Sequence, residues 1–206
     1  MYTSKLNQVL NQDEILSFMK RFSFATIISN VDEVPQATHL PFTITCKDGE
    51  ILLHAHFARA NKQWENIEAQ KVLVIFSEPH AYVSPKHYNK VESVPTWNYY
   101  AVHAYGNCEI IYDRFTVVRA LEDMITIYEP EYKLQWDTLS GNFKDKMLQG
   151  IVAFTVTVTD LQASQKLSQN KTVEEQQRII YSLCNSDDTN AKITGEYMKY
   201  NLGKKH

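Results

Sequence analysis

Short apolar runs recur along the chain and predict a fold built mainly from β-strands. Phe24 to Ser29 and Lys71 to Ser77 are compact apolar runs of the kind that forms buried strands. Asp48-Gly49 stands between two further runs and predicts a tight hairpin turn. Longer strands are expected over Tyr99 to Tyr112 and over Ile151 to Val158, the second of which alternates with threonines. The pattern predicts about six strands in all.

Apolar residues at helical spacing predict helices between these strands and at the end of the chain. Asn11 can cap the first helix and Asp113 a later one, while Asn61 to Ala69 is also expected to be helical. Strands interrupted by single helices favour a partly open antiparallel barrel over regular βαβ repeats. We predict a single domain over residues 1–206, mainly β with helices, with a C-terminal helical segment at approximately 172–202.

The composition narrows the class of protein. Apolar residues make up 44% and charged residues 22% of the chain, which is ordinary for a soluble globular protein. The net charge of -3 and the lack of a basic stripe argue against a dedicated nucleic-acid binder. Three widely spaced cysteines and the lack of an N-terminal apolar segment predict a cytoplasmic protein. No apolar stretch approaches the ~20 residues that a membrane helix needs, so no membrane association is predicted.

The segment from His54 to Trp64 is the first candidate for chemistry, because a strand is expected to end and a helix to begin within it. The free N–H groups at the start of a helix attract phosphate, and Arg59 adds a planar set of donors that matches phosphate oxygens. Asn61 is a suitable cap, which leaves Lys62 in the first turn. These residue types alone fit an anion site and an ordinary strand–helix junction equally well.

His54 and His56 lie two residues apart, so on a strand they face the same side. The pair could form half of a metal site, but no third ligand stands nearby in the sequence. A packed or hydrogen-bonded role is therefore favoured, and no metal is predicted.

Two further polar segments could contact a ligand. The loop from Tyr82 to Tyr88 leads to Trp97-Asn98 just before a strand, where binding residues often lie, although a rigid surface loop fits as well. Lys166 to Lys171 either caps the helix that follows or supplies donors to a ligand. No Walker loop, GxGxxG, HExxH or nucleophile-elbow motif is present, so the catalytic residues are unknown and hydrolase chemistry is disfavoured.

Six short motifs follow one another in order along nearly the whole chain. They are Thr38-His-Leu-Pro-Phe42, His56-Phe-Ala-Arg-Ala-Asn61 with Gln63-Trp64, Tyr82-Val-Ser-Pro85 with Tyr88, Val94-Pro-Thr-Trp-Asn-Tyr99, His103-Ala-Tyr-Gly106 and Lys166-Leu-Ser-Gln-Asn170. This ordered set resembles the PaiB family of FMN-binding negative transcriptional regulators. Each motif is weak by itself, but the ordered set is specific. Three positions depart from the family pattern, since Lys62 stands where the family usually has proline and Lys86-His87 where a small residue and tryptophan are expected.

The resemblance implies an FMN-binding split β-barrel, antiparallel and Greek-key-like, related to pyridoxamine-phosphate-oxidase-like proteins. It also implies a homodimer with FMN at the interface. Arg59 and Asn61 would contact the phosphate, and other residues would line the ring or close the pocket. The FMN-contacting residues that it implies are His39, Leu40, Pro41, Phe42, His56, Arg59, Ala60, Asn61, Lys62, Trp64, Trp97, Asn98, Tyr99, Lys166, Ser168, Gln169 and Asn170.

Three functions are compatible with these features. The resemblance implies a negative transcriptional regulator or a flavin-linked sensor, and direct DNA binding rests on that resemblance alone. The alternative is a flavin-dependent oxidoreductase that acts on a small molecule with a nicotinamide donor, in which the flavin supplies the redox chemistry. A haem-handling split barrel is the weakest of the three, because no histidine stands out as an axial ligand.

Overall fold

The computed structural model of the protein describes residues 1–204. In chain order the elements are α1 Gln12–Arg21, β1 Phe24–Val31, β2 Val34–Pro41, β3 Thr43–Lys47, β4 Glu50–Ala58, a 3-10 helix Lys62–Ala69, β5 Lys71–Phe76, β6 His80–Val83, a 3-10 helix Pro85–His87, β7 Thr96–Ile110, α2 Arg114–Tyr128, α3 Tyr132–Thr138, α4 Gly141–Gln149, β8 Ile151–Lys166, α5 Val173–Cys184 and α6 Thr189–Gly203.

The strands form one mainly antiparallel sheet in the order β2-β1-β5-β7-β8-β4-β3, with β6 paired to β7 off this path. The path ends on β2 at one side and on β3 at the other, so the sheet is not closed. This arrangement, with helices flanking the sheet, confirms the predicted fold class. None of the helices described in residues 1–204 has the length and apolar character needed to cross a membrane.

The chain divides into two compact units. The first unit contains Met1–Ile15, Ser77–Val102 and the chain from Gln162 onward, and the second contains Leu16–Phe76 and His103–Leu161. Each unit has an apolar core of its own. The prediction of a single domain over residues 1–206 stays a prediction.

Aromatic side chains fill the core of the second unit. The rings of Phe57 and Phe154 stack at 4.7 Å between centroids, and Phe42 lies 6.1 Å from Phe76 and 6.2 Å from Phe154. All four side chains are almost fully buried. The core of the first unit is aliphatic and joins the final helices to β6; it comprises Ala81, Val83, Leu167, Ile179, Leu183, Ala191 and Met198.

Two hairpins turn on residues with positive φ. Asp48 and Gly49 have φ values of 53° and 86°, which confirms the hairpin predicted there. A second hairpin joins β1 to β2 through Asp32 and Glu33, with φ values of 50° and 64°. The sequence did not reveal this second turn, because Glu33 is not a residue that usually adopts a left-handed backbone.

Other segments differ from the sequence-based expectation. The short strand β6 and the helices α3 and α4 were not predicted. The strands β2 and β3 are separated at Phe42, whose ring is buried and whose N–H donates to Ser23 O at 2.9 Å. In α3, Trp136 is buried and donates from Nε1 to Glu122 Oε1 at 2.9 Å, so a tertiary contact rather than a long apolar period anchors this short helix.

The close packing of two strands explains why the His103-Ala-Tyr-Gly106 motif ends in glycine. Gly106 lies in β7, where a Cβ atom would overlap the carbonyl oxygen of Thr157 and lie 2.6 Å from Val156 Cγ1. A side chain at this position would therefore force the neighbouring strand to shift.

We expect Gly106→Ala to lower the free energy of unfolding by about 1–3 kcal/mol, because the added methyl group forces neighbouring backbone to shift. Urea denaturation followed by circular dichroism measures this change. Gly141→Ala is the matched control, since nothing lies within 4 Å of its Cβ position. Equal stability of the Gly106→Ala variant and the wild type would contradict the packing argument.

Candidate functional site

A rigid corner follows β4, and we call the segment from Arg59 to Trp64 the β4 corner. Asn61 N donates to Ala58 O at 2.9 Å, and the Asn61 side chain accepts from Gln63 N at 3.0 Å. The indole N–H of Trp64 closes the corner by donating to Arg59 O at 3.0 Å. Asn61 is thus the predicted cap, but the helix that it caps is of the 3-10 type rather than a regular α-helix.

A buried side-chain amide ties this corner to the sheet. Gln63 is 1% exposed, and its Nε2 donates to Ser29 Oγ at 2.9 Å and to Gln36 O at 3.2 Å. Its Oε1 accepts from Thr38 Oγ1 at 2.6 Å, and Thr38 Oγ1 in turn accepts from Asn61 Nδ2 at 2.8 Å. Gln63 was not among the predicted site residues, because the Gln63-Trp64 motif gives no sign that the amide points inward.

The guanidinium of Arg59 lies where the corner meets the start of β8. Arg59 Nε donates to Gln149 O at 2.8 Å, Nη2 donates to Ile151 O at 2.9 Å, and Cζ lies 5.7 Å from the centre of the Trp64 ring. Within residues 1–204 no carboxylate pairs with Arg59, and its Nη1 makes no hydrogen bond. The side chain therefore carries an uncompensated positive charge with donors left for an anion.

Lys62 is the second cation of the corner. Its Nζ lies 3.2 Å from Glu65 Oε1, and the Lys62 side chain is 81% exposed. An ion pair this exposed contributes little to the stability of the fold. An anion can therefore replace Glu65 as the partner of Lys62. Ala60, also predicted to contact FMN, is exposed between the two cations.

The predicted residues His39 to Phe42 differ in how deeply their side chains are buried. His39 is exposed, its Nδ1 lies 2.8 Å from Thr26 Oγ1, and its ring stacks on Phe24 at 6.3 Å. Pro41 is half-buried. The side chains of Leu40 and Phe42 belong to the core, so only their backbone atoms can reach a ligand.

The two histidines of β4 face the same side, as predicted. His54 forms hydrogen bonds with Thr45 Oγ1 at 3.0 Å and Thr155 Oγ1 at 2.9 Å. Burial lowers the pKa of both His54 and His56, and Asp123 partly opposes the shift at His54. Both rings are therefore neutral near pH 7. Residues 1–204 contain no group of three or more His, Cys, Asp or Glu side chains that could hold a metal ion.

In the first unit, Asn98 fixes the turn that follows β8. Asn98 is fully buried, its Oδ1 accepts from Ser168 Oγ at 3.0 Å, and its Nδ2 donates to Met198 Sδ at 3.2 Å. Ser168 has a φ of 58°, a left-handed conformation that the hydrogen bond to Asn98 helps to hold. Lys166 Nζ donates to Thr96 Oγ1 on the neighbouring strand.

This turn lines a cavity of about 330 Å³, which we call the β8–α5 cavity. Lys171 contributes a cation whose Nζ lies 3.7 Å from the centre of the Tyr88 ring. Among its lining residues are Tyr88, Thr96, Lys166, Ser168, Gln169, Asn170 and Lys171. The structure thus brings together the four predicted residues of the Lys166-Leu-Ser-Gln-Asn170 motif around one opening.

Two predicted aromatic residues lie on β7 in the same unit. Trp97 is 54% exposed and packs edge-on against His80 at 5.7 Å and Tyr82 at 6.0 Å. Tyr99 is half-buried. These side chains form an aromatic surface on the β6–β7 pair rather than part of a core.

The chain matches the family model described as "Putative FMN-binding domain" over residues 1–160. A Bacillus subtilis (strain 168) protein named Protease synthase and sporulation protein PAI 2 is 39% identical over 207 residues, which cover 99% of each chain. The protein belongs to this FMN-binding family. The two matches confirm the predicted family and the predicted cofactor, FMN.

Solved structures show the same fold as this FMN-binding family member. The flavocytochrome Anf3 from Azotobacter vinelandii has a TM-score of 0.62 and 14% identity, with 77% of this chain and 69% of that chain covered. An FAD- and haem-binding protein from Mycobacterium smegmatis also has a TM-score of 0.62 and 14% identity, with 84% of this chain and 79% of that chain covered. These likenesses confirm the split-barrel fold.

The residues of the second unit fit the chemistry of FMN. The β4 corner offers the unpaired guanidinium donors of Arg59 and the exposed ammonium of Lys62, which suit a phosphate dianion. The stacked rings of His39 and Phe24 offer an exposed aromatic surface, which suits a flat ring system. The departure at Lys62 adds a cation that the usual proline would lack.

Proposed function

We propose that this chain binds FMN with its phosphate at the β4 corner, held by Arg59, Asn61 and Lys62. The observation that carries the proposal is the guanidinium of Arg59, which has no acidic partner within residues 1–204. Two carbonyl oxygens hold this group beside the turn at Asn61. Because these contacts hold the guanidinium before any ligand arrives, little conformational entropy is lost on binding. The Gln63 network supports this by holding Asn61 and Thr38 in place.

The chain's own groups bind and orient the cofactor. The exposed ring of His39 and the backbone of Leu40 to Phe42 would line the ring system, and Trp64 packs over the guanidinium of Arg59 on one face. His56, neutral because burial lowers its pKa, contributes a polar edge rather than a charge. Bound FMN supplies the electron-transfer chemistry of its isoalloxazine ring.

Replacing Arg59 tests the phosphate assignment. We expect Arg59→Ala to weaken FMN binding by about tenfold to 150-fold, since a charge-assisted hydrogen bond contributes about 1.5–3 kcal/mol. Titration of the flavin fluorescence measures the dissociation constant. Arg119→Ala is the matched control, because Arg119 is an exposed arginine on α2. An unchanged FMN affinity in a folded Arg59→Ala variant would refute the assignment.

We propose a homodimer in which residues around the β8–α5 cavity of one subunit close the FMN site of the other. The exposed aromatic surface of Trp97 and Tyr82, each about half exposed, supports this, because such surfaces are commonly buried by partners. On this proposal Trp97, Asn98, Tyr99, Lys166, Ser168, Gln169 and Asn170 act across the interface, with Asn98 and Ser168 as positioning residues.

Sedimentation velocity tests the dimer. We expect wild-type protein to sediment as a dimer at micromolar concentration, and Trp97→Arg to shift it to monomer because a charge enters the buried centre of the interface. Val91→Arg is the control, since Val91 is 99% exposed in a nearby loop. A wild-type monomer, or a dimer unaffected by Trp97→Arg, would overturn the proposed interface.

We further propose a cytoplasmic negative regulator or flavin-linked sensor that acts without direct DNA contact. The Bacillus subtilis relative is named for protease synthase and sporulation, and a regulatory role accords with that name. The net charge of -3 supports indirect action, because DNA binders gain most of their affinity from phosphate contacts. Three free cysteines accord with a reducing compartment. The alternative, a flavin-dependent oxidoreductase, stays a prediction.

A gel-shift titration tests direct DNA binding. We expect no retardation of genomic DNA fragments from the source organism at any salt concentration between about 50 and 200 mM, with or without FMN. Retardation at low salt that disappears steeply as salt rises would contradict indirect action and restore a direct DNA-binding role.

A further inference from the structure

A second cavity, of about 400 Å³, lies in the second unit between the sheet and the helices α2 and α4. We call it the α2–α4 cavity. Its volume is within the range of about 300–1,000 Å³ that is usual for small-molecule sites. Its apolar lining includes Ile110, Ile111, Val117, Leu148, Ile151 and Val152.

Incomplete helix packing leaves this space open. Neither α2 nor α4, both wholly within the described residues, contains a fully buried side chain. Large apolar side chains of the two helices, such as Phe115 and Phe143, are exposed instead. Because protein interiors are normally close-packed, an apolar ligand in the cavity would supply contacts that the two helices lack.

The charged side chains that line the cavity leave one guanidinium without a partner of opposite charge. Arg114 and Asp145 form an ion pair, with Arg114 Nε also 3.0 Å from Asp145 Oδ1, so their charges offset each other. The nearby Glu68 carboxylate already accepts from Ile110 N at 2.8 Å and Tyr112 Oη at 3.1 Å. Arg59 also lines the cavity, and its guanidinium has no carboxylate partner within residues 1–204.

We infer that the α2–α4 cavity binds a small carboxylic acid with an apolar body. The apolar body lies against the isoleucine, valine and leucine side chains, and the carboxylate accepts hydrogen bonds from Arg59. A free phosphate lacks the apolar body, and a neutral hydrocarbon would leave the charge of Arg59 unused. The site therefore selects for both properties in one molecule.

The cavity differs from the proposed FMN site but touches it. Of the residues predicted to contact FMN, only Arg59 and Trp64 line the cavity. A ligand here would share Arg59 with the phosphate, so the two affinities would be linked reciprocally. Ligand binding to the α2–α4 cavity does not require FMN and can be measured on the flavin-free protein.

Isothermal titration calorimetry with phenylacetate and the neutral phenylacetamide tests the inference on flavin-free protein. We expect saturable phenylacetate binding that is about tenfold or more tighter than phenylacetamide binding, because the charged oxygen meets Arg59. Arg59→Gln should remove this preference for the anion. Equal affinities of the two compounds for the wild type would overturn the inference.

A cavity-filling variant tests the location. Leu148→Trp should abolish phenylacetate binding while FMN affinity stays within twofold of the wild type. Val117→Phe gives the same test if Leu148→Trp does not fold. Leu134→Trp is the matched control, since Leu134 is 77% exposed on α3 and does not line the cavity. Unchanged phenylacetate binding in the filled variants, or loss of FMN binding together with it, would contradict a separate site.

Discussion

The buried amide of Gln63 is the interaction on which the candidate site depends. It reaches from the β4 corner to β1 and β2, where Ser29 Oγ, Gln36 O and Thr38 Oγ1 satisfy its polar atoms. An amide buried without partners would cost about 1–3 kcal/mol, so the satisfied network strongly favours one position of the corner. Through Thr38 the network also holds Asn61, whose side chain caps the 3-10 helix by accepting from Gln63 N. The charged groups of Arg59 and Lys62 are exposed, but the hydrogen bonds of Gln63 hold the backbone of the β4 corner in place.

A single arginine connects the two candidate sites of the second unit. Arg59 is held by Gln149 O and Ile151 O at the junction of α4 and β8, rather than by an acidic partner. Its guanidinium therefore has donors available beside the apolar residues Ile110, Leu148 and Val152 of the cavity lining. A side chain in this position can respond both to a cofactor at the β4 corner and to a ligand in the α2–α4 cavity.

The local features of the fold could be predicted where one residue type determines the backbone. Asp48-Gly49 produced its hairpin because both residues tolerate a positive φ, and Asp113 produced its helix cap through its carboxylate. Tertiary contacts decided the rest. The short helix α3 is anchored by Trp136, and the turn at Asp32-Glu33 places Glu33 in a left-handed backbone that glutamate seldom adopts.

The site was predictable in outline from its motifs but not in its detail. The ordered motifs indicated the Arg59–Asn61 segment, whereas the inward direction of Gln63 and the burial of Leu40 and Asn98 depend on strand pairing and packing. Several motif residues thus have structural roles that spacing alone cannot distinguish from ligand contacts. Gly106 is one example, since its strand lies too close to Thr157 for a side chain.

The central claim is that the phosphate of FMN is held at the β4 corner. The most direct measurement compares how tightly the wild-type protein binds FMN and riboflavin. These two flavins differ only by the phosphate, and the quantity compared is the dissociation constant. If the β4 corner binds that phosphate, FMN binds at least about tenfold more tightly than riboflavin. Equal affinities for the two flavins would contradict the account, because the ring system would then supply all of the binding.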